Sequence, residues 1–352
     1  MAKSRVDALT SLRFFAALYV VLFHSETSKA MPQHVRSGWA EFIGHGYLAV
    51  SFFFILSGFV LTWNYGGRWK EVSYKYFLIA RLARIYPVYL LALLMQLPFC
   101  LHDFHVWRAL AVLLMIQSWT TMPSALPASI NYPSWTLSIE WFFYLCFPVL
   151  LSAVMRLRSR KLAVVSIILL TILIAGPQAG IGGRLSWFTE HIPLPLLRLP
   201  EFVLGMLLAK SAPRIESVPR LSADRTIELL LLGTSCLLFL DLHRFVLLVV
   251  CTFSGVIWLL AFRHGWIRSL LEHRVLVALG GSSYAVYILQ VPVRHWIEYF
   301  AMESINQYSW GVPIYISVLL VLSLLVYVYI EQPLRIRIKE AGQRQRSYAH
   351  SR

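Results

Sequence analysis

Charge is what this sequence has least of. Only 14% of its 352 residues are Asp, Glu, Lys or Arg, while 58% are hydrophobic, and the mean hydropathy is +0.64. A soluble domain ordinarily carries about 25% charged residues, so the shortfall argues against one and predicts a polytopic membrane protein. Cysteine is scarce too. Cys100, Cys146, Cys236 and Cys251 are scattered, mostly in apolar runs, with no CxxC pair. That spacing argues against a disulfide framework and against a zinc site, so no metal is expected. There is no internal repeat and no low-complexity tract, and no appended soluble domain is expected. No small-residue cleavage site follows the first apolar stretch, which therefore reads as a retained helix and not as a signal peptide.

The charge that is present is one-sided. The net charge is +15 and the sequence pI is about 9.9. Membrane proteins gather Lys and Arg in cytoplasmic loops, and RLRSRK (156–161) and the tail from 335 to 352 fit that rule. Nucleic acid is therefore not an expected partner, whereas membrane lipid is.

A spanning helix needs about 17 to 25 mostly apolar residues. Candidate runs, with loose edges, lie at 9–26, 47–64, 78–99, 135–155, 162–178, 196–210, 226–242, 245–262, 275–300 and 312–330. The expectation is an all-α polytopic membrane protein of about ten transmembrane helices, both termini cytoplasmic. The piece 107–119 is apolar but short; making it re-entrant or interfacial keeps every basic loop on the inner side. Residues 1–335 form one transmembrane domain in this reading, and 336–352 a basic cytoplasmic tail.

Ionisable groups inside a membrane span usually face a cavity or a pathway. Arg13 and His24 share the first helix, about 16 Å apart along its axis. Histidine suits general-base work near neutral pH; Arg13 alone could simply snorkel to the headgroups. Arg81 and Arg84 lie three apart on one helix face, just before Tyr86–Pro87, where the helix is expected to break. Their guanidinium forks suit phosphate recognition. Trp135, Ser138 and Glu140 open the fourth span, and Glu140 needs a partner there. A carboxylate bonded to an imidazole fixes its tautomer, as in hydrolase triads, so Glu140 is expected opposite His24. Arg198 and Glu201 read as structural, with Gly205 allowing close helix packing. Tyr284, Tyr287 and Gln290 lie within another span, where Tyr287 and Gln290 could line a polar seam. Glu331, followed by Pro333, reads as a helix end at the inner surface.

In order, these motifs resemble those of acyltransferase family 3, membrane-bound O-acyltransferases acting on sugars and other hydroxyl-bearing acceptors. The matching stretches are Arg13 with His24, GYLAVSFFFILSGFVLTW (46–63), RLARIYP (81–87), WTLSIEWFFYLCFP (135–148), RLPEFVLGMLLA (198–209), SYAVYILQVP (283–292) and IEQPLR (330–335). The resemblance implies a bacterial inner-membrane enzyme with no permanently bound cofactor. It implies acyl-CoA, commonly acetyl-CoA, as a donor reached from the cytoplasm, and a glycan or other hydroxyl-bearing acceptor on the outer side. It marks Arg13 and His24 as the essential pair and supports donor binding by Arg81 and Arg84, with Tyr86 beside them. Trp135, Ser138, Tyr284, Tyr287 and Gln290 would line the acceptor channel.

Two departures limit the carry-over. Gln290 stands where many relatives have histidine, so no second base is assigned there. Ser51 stands where many have aspartate, so no acidic role passes to it. Some relatives carry a further hydrolase-like domain; this chain would act alone or with a separate periplasmic partner. The expected reaction is proton removal from an acceptor hydroxyl by His24, held by Glu140, with Arg13 balancing donor charge. A transporter or flippase of an acylated or glycan substrate is the rival reading.

Overall fold

In hydrocarbon no water is at hand for backbone amides, so a chain of long apolar runs must satisfy them within helices or a closed barrel. Among the described residues, every regular element of this computed structural model is helical. It describes residues 7–25, 27, 33–100, 105–119, 130–156, 192–211, 220–239, 246–263, 265–301, 303–307 and 310–338, with a few positions between 158 and 168. The helices are α1 (Asp7–His24), α2 (Gln33–Gly44), α3 (Ala49–Tyr65), α4 (Tyr74–Gln96), α5 (Val106–Leu113), α6 (Trp135–Arg156), α7 (Leu199–Ser211), α8 (Arg220–Phe239), α9 (Val246–Phe262), α10 (Trp266–Leu271), α11 (Arg274–Ala301) and α12 (Gly311–Val326).

Six stretches among the described residues are long and apolar enough to cross a membrane: 7–24, 39–65, 74–99, 132–156, 274–301 and 311–338. Large apolar side chains stand exposed along them and their neighbours, among them Leu94, Val149, Leu232 and Val321, as expected of a lipid-facing surface. The chain is thus a multi-pass membrane protein, with six qualifying spans where hydropathy counted about ten. Of the other four runs, 196–210 becomes a one-turn helix at Leu194–Leu197 followed by the 13-residue α7, and 245–262 becomes the 17-residue α9. The run 226–242 falls in α8 as far as Phe239; that helix begins earlier with polar residues. Most of 162–178 lies outside the described residues, as does the tail from 339 onward.

The short apolar piece does not span. Helix α5 has eight residues, only about 12 Å at 1.5 Å per residue. It ends at buried Met115, whose φ of 54° turns the chain into Gln117–Trp119. Two expected helix ends also continue. Helix α4 runs through Pro87 to Gln96. After α12 the chain widens into a π turn at Tyr327–Glu331 and stays helical to Ile338. Pro333 falls in the first turn after that widening, where a missing N–H is tolerated.

The most extensive pairings are α3 with α7 and α1 with α11, and each is set by glycine. A Cβ added at Gly205 would stand 1.9 Å from the Ile55 carbonyl oxygen, and one at Gly58 2.0 Å from that of Phe202. The α3–α7 backbones therefore touch, as small residues permit in membranes. Gly280 does the same for α11, where a Cβ would lie 2.0 Å from the Thr10 carbonyl of α1. The α3–α7 contact is pinned by a buried network in which Ser51 Oγ and Arg198 Nη1 donate to Glu201 Oε1 at 2.9 and 2.8 Å. Phe143 and Phe202 stack beside it at 4.6 Å.

Gly205→Leu should separate α3 from α7, at a cost of at least about 1–3 kcal/mol. Gly233, where an added Cβ meets nothing within 4 Å, is the control. Thermal melts followed by size-exclusion chromatography in detergent should show Gly205→Leu aggregating well below the wild type and Gly233→Leu unchanged.

Candidate active site

Eleven residues are close to three turns of 3.6, so Arg13 and His24 lie on one face of α1. That face meets α11 along its length. Three further helices bring polar groups to the same seam: α4 with Arg81 and Arg84, α6 with Thr136 and Glu140, and α11 with Tyr284 and Tyr287. Together with Arg13 these line one chamber, partly open to solvent.

The guanidiniums are incompletely used. Arg81 Nη2 donates to the Tyr65 hydroxyl at 3.1 Å, and its carbon stands 5.7 and 5.8 Å from the Tyr65 and Phe77 ring centres. Its Nε is buried without a partner. Arg13 and Arg84 form no hydrogen bond or close ion pair among the described residues, although the charges of Glu140 and Glu331 act on both. Glu140 accepts from the Tyr144 hydroxyl one turn on, and from Ser57 Oγ at 3.4 Å. A chamber holding idle guanidinium donors in an apolar bundle is suited to an anion.

His24 sits at the far end. Its partner is Gln290, with Nδ1 to Oε1 at 3.0 Å, and not Glu140. The expected His24–Glu140 pair is corrected by depth: Glu140 faces the arginines, three turns of α1 below His24. Gln290 nonetheless does what a carboxylate would do for the tautomer. Its Nε2 donates to the Tyr287 carbonyl at 2.6 Å, and a carbonyl can only accept. The amide oxygen therefore faces His24, which must donate from Nδ1–H, so that in the neutral ring Nε2 keeps its lone pair. That is the form a general base requires. No protein partner takes Nε2 among the described residues.

Local sequence explains why Gln290 is held so firmly. Pro292 has no N–H, so the Ile288 carbonyl loses its helical donor; Asn131 Nδ2 replaces it at 2.8 Å. The Gln290 carbonyl accepts from the Tyr315 hydroxyl at 2.9 Å. Arg294 Nη1 donates to the His24 carbonyl at 2.9 Å, tying the end of α1 to α11. The His24 ring meets Tyr132 edge-on at 5.5 Å. Tyr287 joins the two ends: its side chain lines the chamber, while its carbonyl orients Gln290.

Three expected site residues lie elsewhere. Thr136, Leu137 and Glu140 share the chamber face of α6, so Trp135 and Ser138 turn away from it. They hold the α5 turn, where Ser118 Oγ donates to the Trp135 carbonyl at 2.7 Å and Ser118 N to Ser138 Oγ at 3.3 Å. Tyr86 points to α5, donating to the Leu113 carbonyl at 3.3 Å, outside the chamber lining. Reasoning on the sequence missed Ser57, Thr136 and Tyr144. Only Tyr144, four residues after Glu140 on one helix face, carried a signal. It also missed Glu331, which is buried beside the arginines and is not a surface anchor.

Comparison with known proteins places the chain among acyltransferases by sequence. Over 226 residues, 58% of this chain, it is 36% identical to the acyltransferase MdmB of Streptomyces mycarofaciens. Over 94% of its length it is 22% identical to the O-acetyltransferase OatA of Staphylococcus aureus. In each case the match covers 57% of the relative, so the chain spans about half the length of the curated relatives it matches. No solved structure matches. The family described as an acyltransferase domain, acyltransferase family 3, matches residues 6–331, and the chain belongs to that family.

Proposed function

We propose that this chain is an O-acyltransferase of the bacterial inner membrane, moving an acetyl group from cytoplasmic acetyl-CoA to a hydroxyl of a sugar-containing acceptor on the outer side. The observation that carries the reading is one helix, α1, that brings an anion-binding guanidinium and a tautomer-fixed imidazole to opposite ends of one seam. The donor's phosphates dock where Arg13, Arg81 and Arg84 converge, and its thioester arm extends along the chamber toward Tyr287. His24 Nε2 takes the acceptor hydroxyl proton. The oxygen attacks the thioester carbonyl, the tetrahedral adduct breaks its C–S bond, and CoA thiolate leaves to be protonated. Glu140 stays with the arginines and Tyr144, holding their geometry while the chamber is empty. Membrane lipid surrounds the bundle, and a separate periplasmic partner would carry the acceptor onward.

The reading is tested by free-thiol release from acetyl-CoA by purified protein in lipid, with and without an extract of the host envelope. Release that depends on the extract is expected. No thiol release in any extract would sink the reading and favour a transporter. His24→Ala should lower the rate by about 10²–10⁴-fold with the protein still inserted and monodisperse. Gln290→Leu should lower kcat by about tenfold or more, since Nδ1–H loses its acceptor and the base tautomer is no longer selected. The KM for acetyl-CoA should stay near the wild-type value; a raised KM with normal kcat would place Gln290 in donor binding instead.

A further inference from the structure

The chamber continues past the arginines into a second space that the reaction above does not use. It is partly open and shares Arg13, Arg81 and Arg84 with the first. Its remaining wall includes Arg335, Trp63 and Asn64, the last of them exposed at the mouth. Arg335 lies in the helical stretch that follows the π turn. Four arginines therefore line the joined spaces.

Against them stand two carboxylates, Glu140 and Glu331. Glu331 ends the π turn and is 1% exposed, yet neither carboxylate oxygen has a hydrogen bond. Its nearest cation is Arg335, whose Nη1 lies 3.6 Å from Oε1, an ion pair too long for a hydrogen bond. Arg84 and Arg13 act on it from further off. A buried carboxylate without hydrogen bonds is costly, and its use here is to counter guanidiniums that have no other anion. The Arg335 side chain itself is 44% exposed, within reach from the mouth. The joined spaces hold an excess of positive charge, donors that nothing uses, and an opening lined by an aromatic ring and an amide.

We infer that Arg335 is a further donor-binding residue: it receives a phosphate of the acyl carrier's nucleotide head at the mouth of the second space. Glu331, one turn before it, keeps that guanidinium turned inward until the phosphate arrives. The inference rests on the donor reading above and extends it to the part of the ligand remote from the thioester. It commits to a nucleotide phosphate and not to a lipid headgroup, because the shared arginines lie inside the bundle, continuous with the acyl chamber.

The test compares acetyl-CoA with acetyl-pantetheine, which has the same thioester and no nucleotide, using full-length protein in nanodiscs of zwitterionic lipid. Arg335→Ala should lower the ratio of kcat/KM for acetyl-CoA to that for acetyl-pantetheine by about tenfold or more, through KM, as expected for loss of a charged hydrogen bond. Arg335→Lys should recover part of it. An unchanged ratio overturns the inference, because a packing role would slow both donors alike. CoA binding by calorimetry separates this outcome from failure of the proposed function. Should neither donor turn over, weaker CoA binding by Arg335→Ala still upholds the site, and equal or absent binding overturns it. Loss of wild-type CoA binding when anionic lipid is added would assign Arg335 to headgroups and also overturn it.

Discussion

Guanidinium charge placed in an apolar bundle is the constraint on which the rest of this architecture depends. Arg13, Arg81 and Arg84 stand on two helices that would otherwise pack as hydrocarbon, and such charges are tolerated only beside counter-charges or water. The bundle answers by leaving space around them and by setting Glu140 and Glu331 nearby. The same need explains why α6 shows the chamber a carboxylate and a threonine instead of its tryptophan, and why the last helix turns wide at Tyr327–Glu331. A wide turn inserts one extra residue into the helical path, and here it ends on the carboxylate that faces Arg84 and Arg335.

Two glycine contacts convert that chemistry into geometry. Gly280 lets α11 lie against the backbone of α1 near Thr10, so the face bearing Arg13 and His24 follows α11 upward through Tyr284, Tyr287 and Gln290. Gly58 and Gly205 let α3 and α7 close from the other side. With those contacts as fixed points, the chamber is the volume that the large residues cannot fill. Its polar lining is what remains when each helix turns its small or charged positions inward.

Much of this was legible in the sequence, for a physical reason. A charge inside an apolar run has few tolerable fates, so Arg13, Arg81, Arg84 and Glu140 each read as cavity-facing, although the sequence set Glu140 against His24 and not with the arginines. Helical periodicity also ties Arg13 to His24 on one face. What periodicity does not carry is depth across helices, and depth is why Glu140 shares a chamber with arginines while a neutral glutamine meets His24. Nor does a run of mixed small and aromatic residues declare its rotation: Thr136 faces in, and Trp135 and Ser138 face the α5 turn. Hydropathy finds apolar runs, but the length of each helix, 13 residues for α7, is not written in the run. The arginine at 335 reads as a surface anchor only while the helix is taken to end at Glu331; continuing it to Ile338 turns Arg335 toward the second space.

The choice of an amide for His24 follows from the same economy of charge. The buried carboxylates Glu201 and Glu331, each 1% exposed, both have an arginine within ion-pair distance, Arg198 and Arg335 respectively. A carboxylate at the Gln290 position would add an anion to the imidazole end. The nearest guanidinium there, Arg294, is already bound to Glu298 at 3.1 Å and to the His24 carbonyl. Gln290 keeps the tautomer while adding no net charge, so no buried anion at that end holds a proton on the imidazole. On the proposed reaction the imidazolium then forms only as negative charge develops on the attacked carbonyl oxygen. Its compensation comes from the reacting group itself, which favours the transition state over the resting pair.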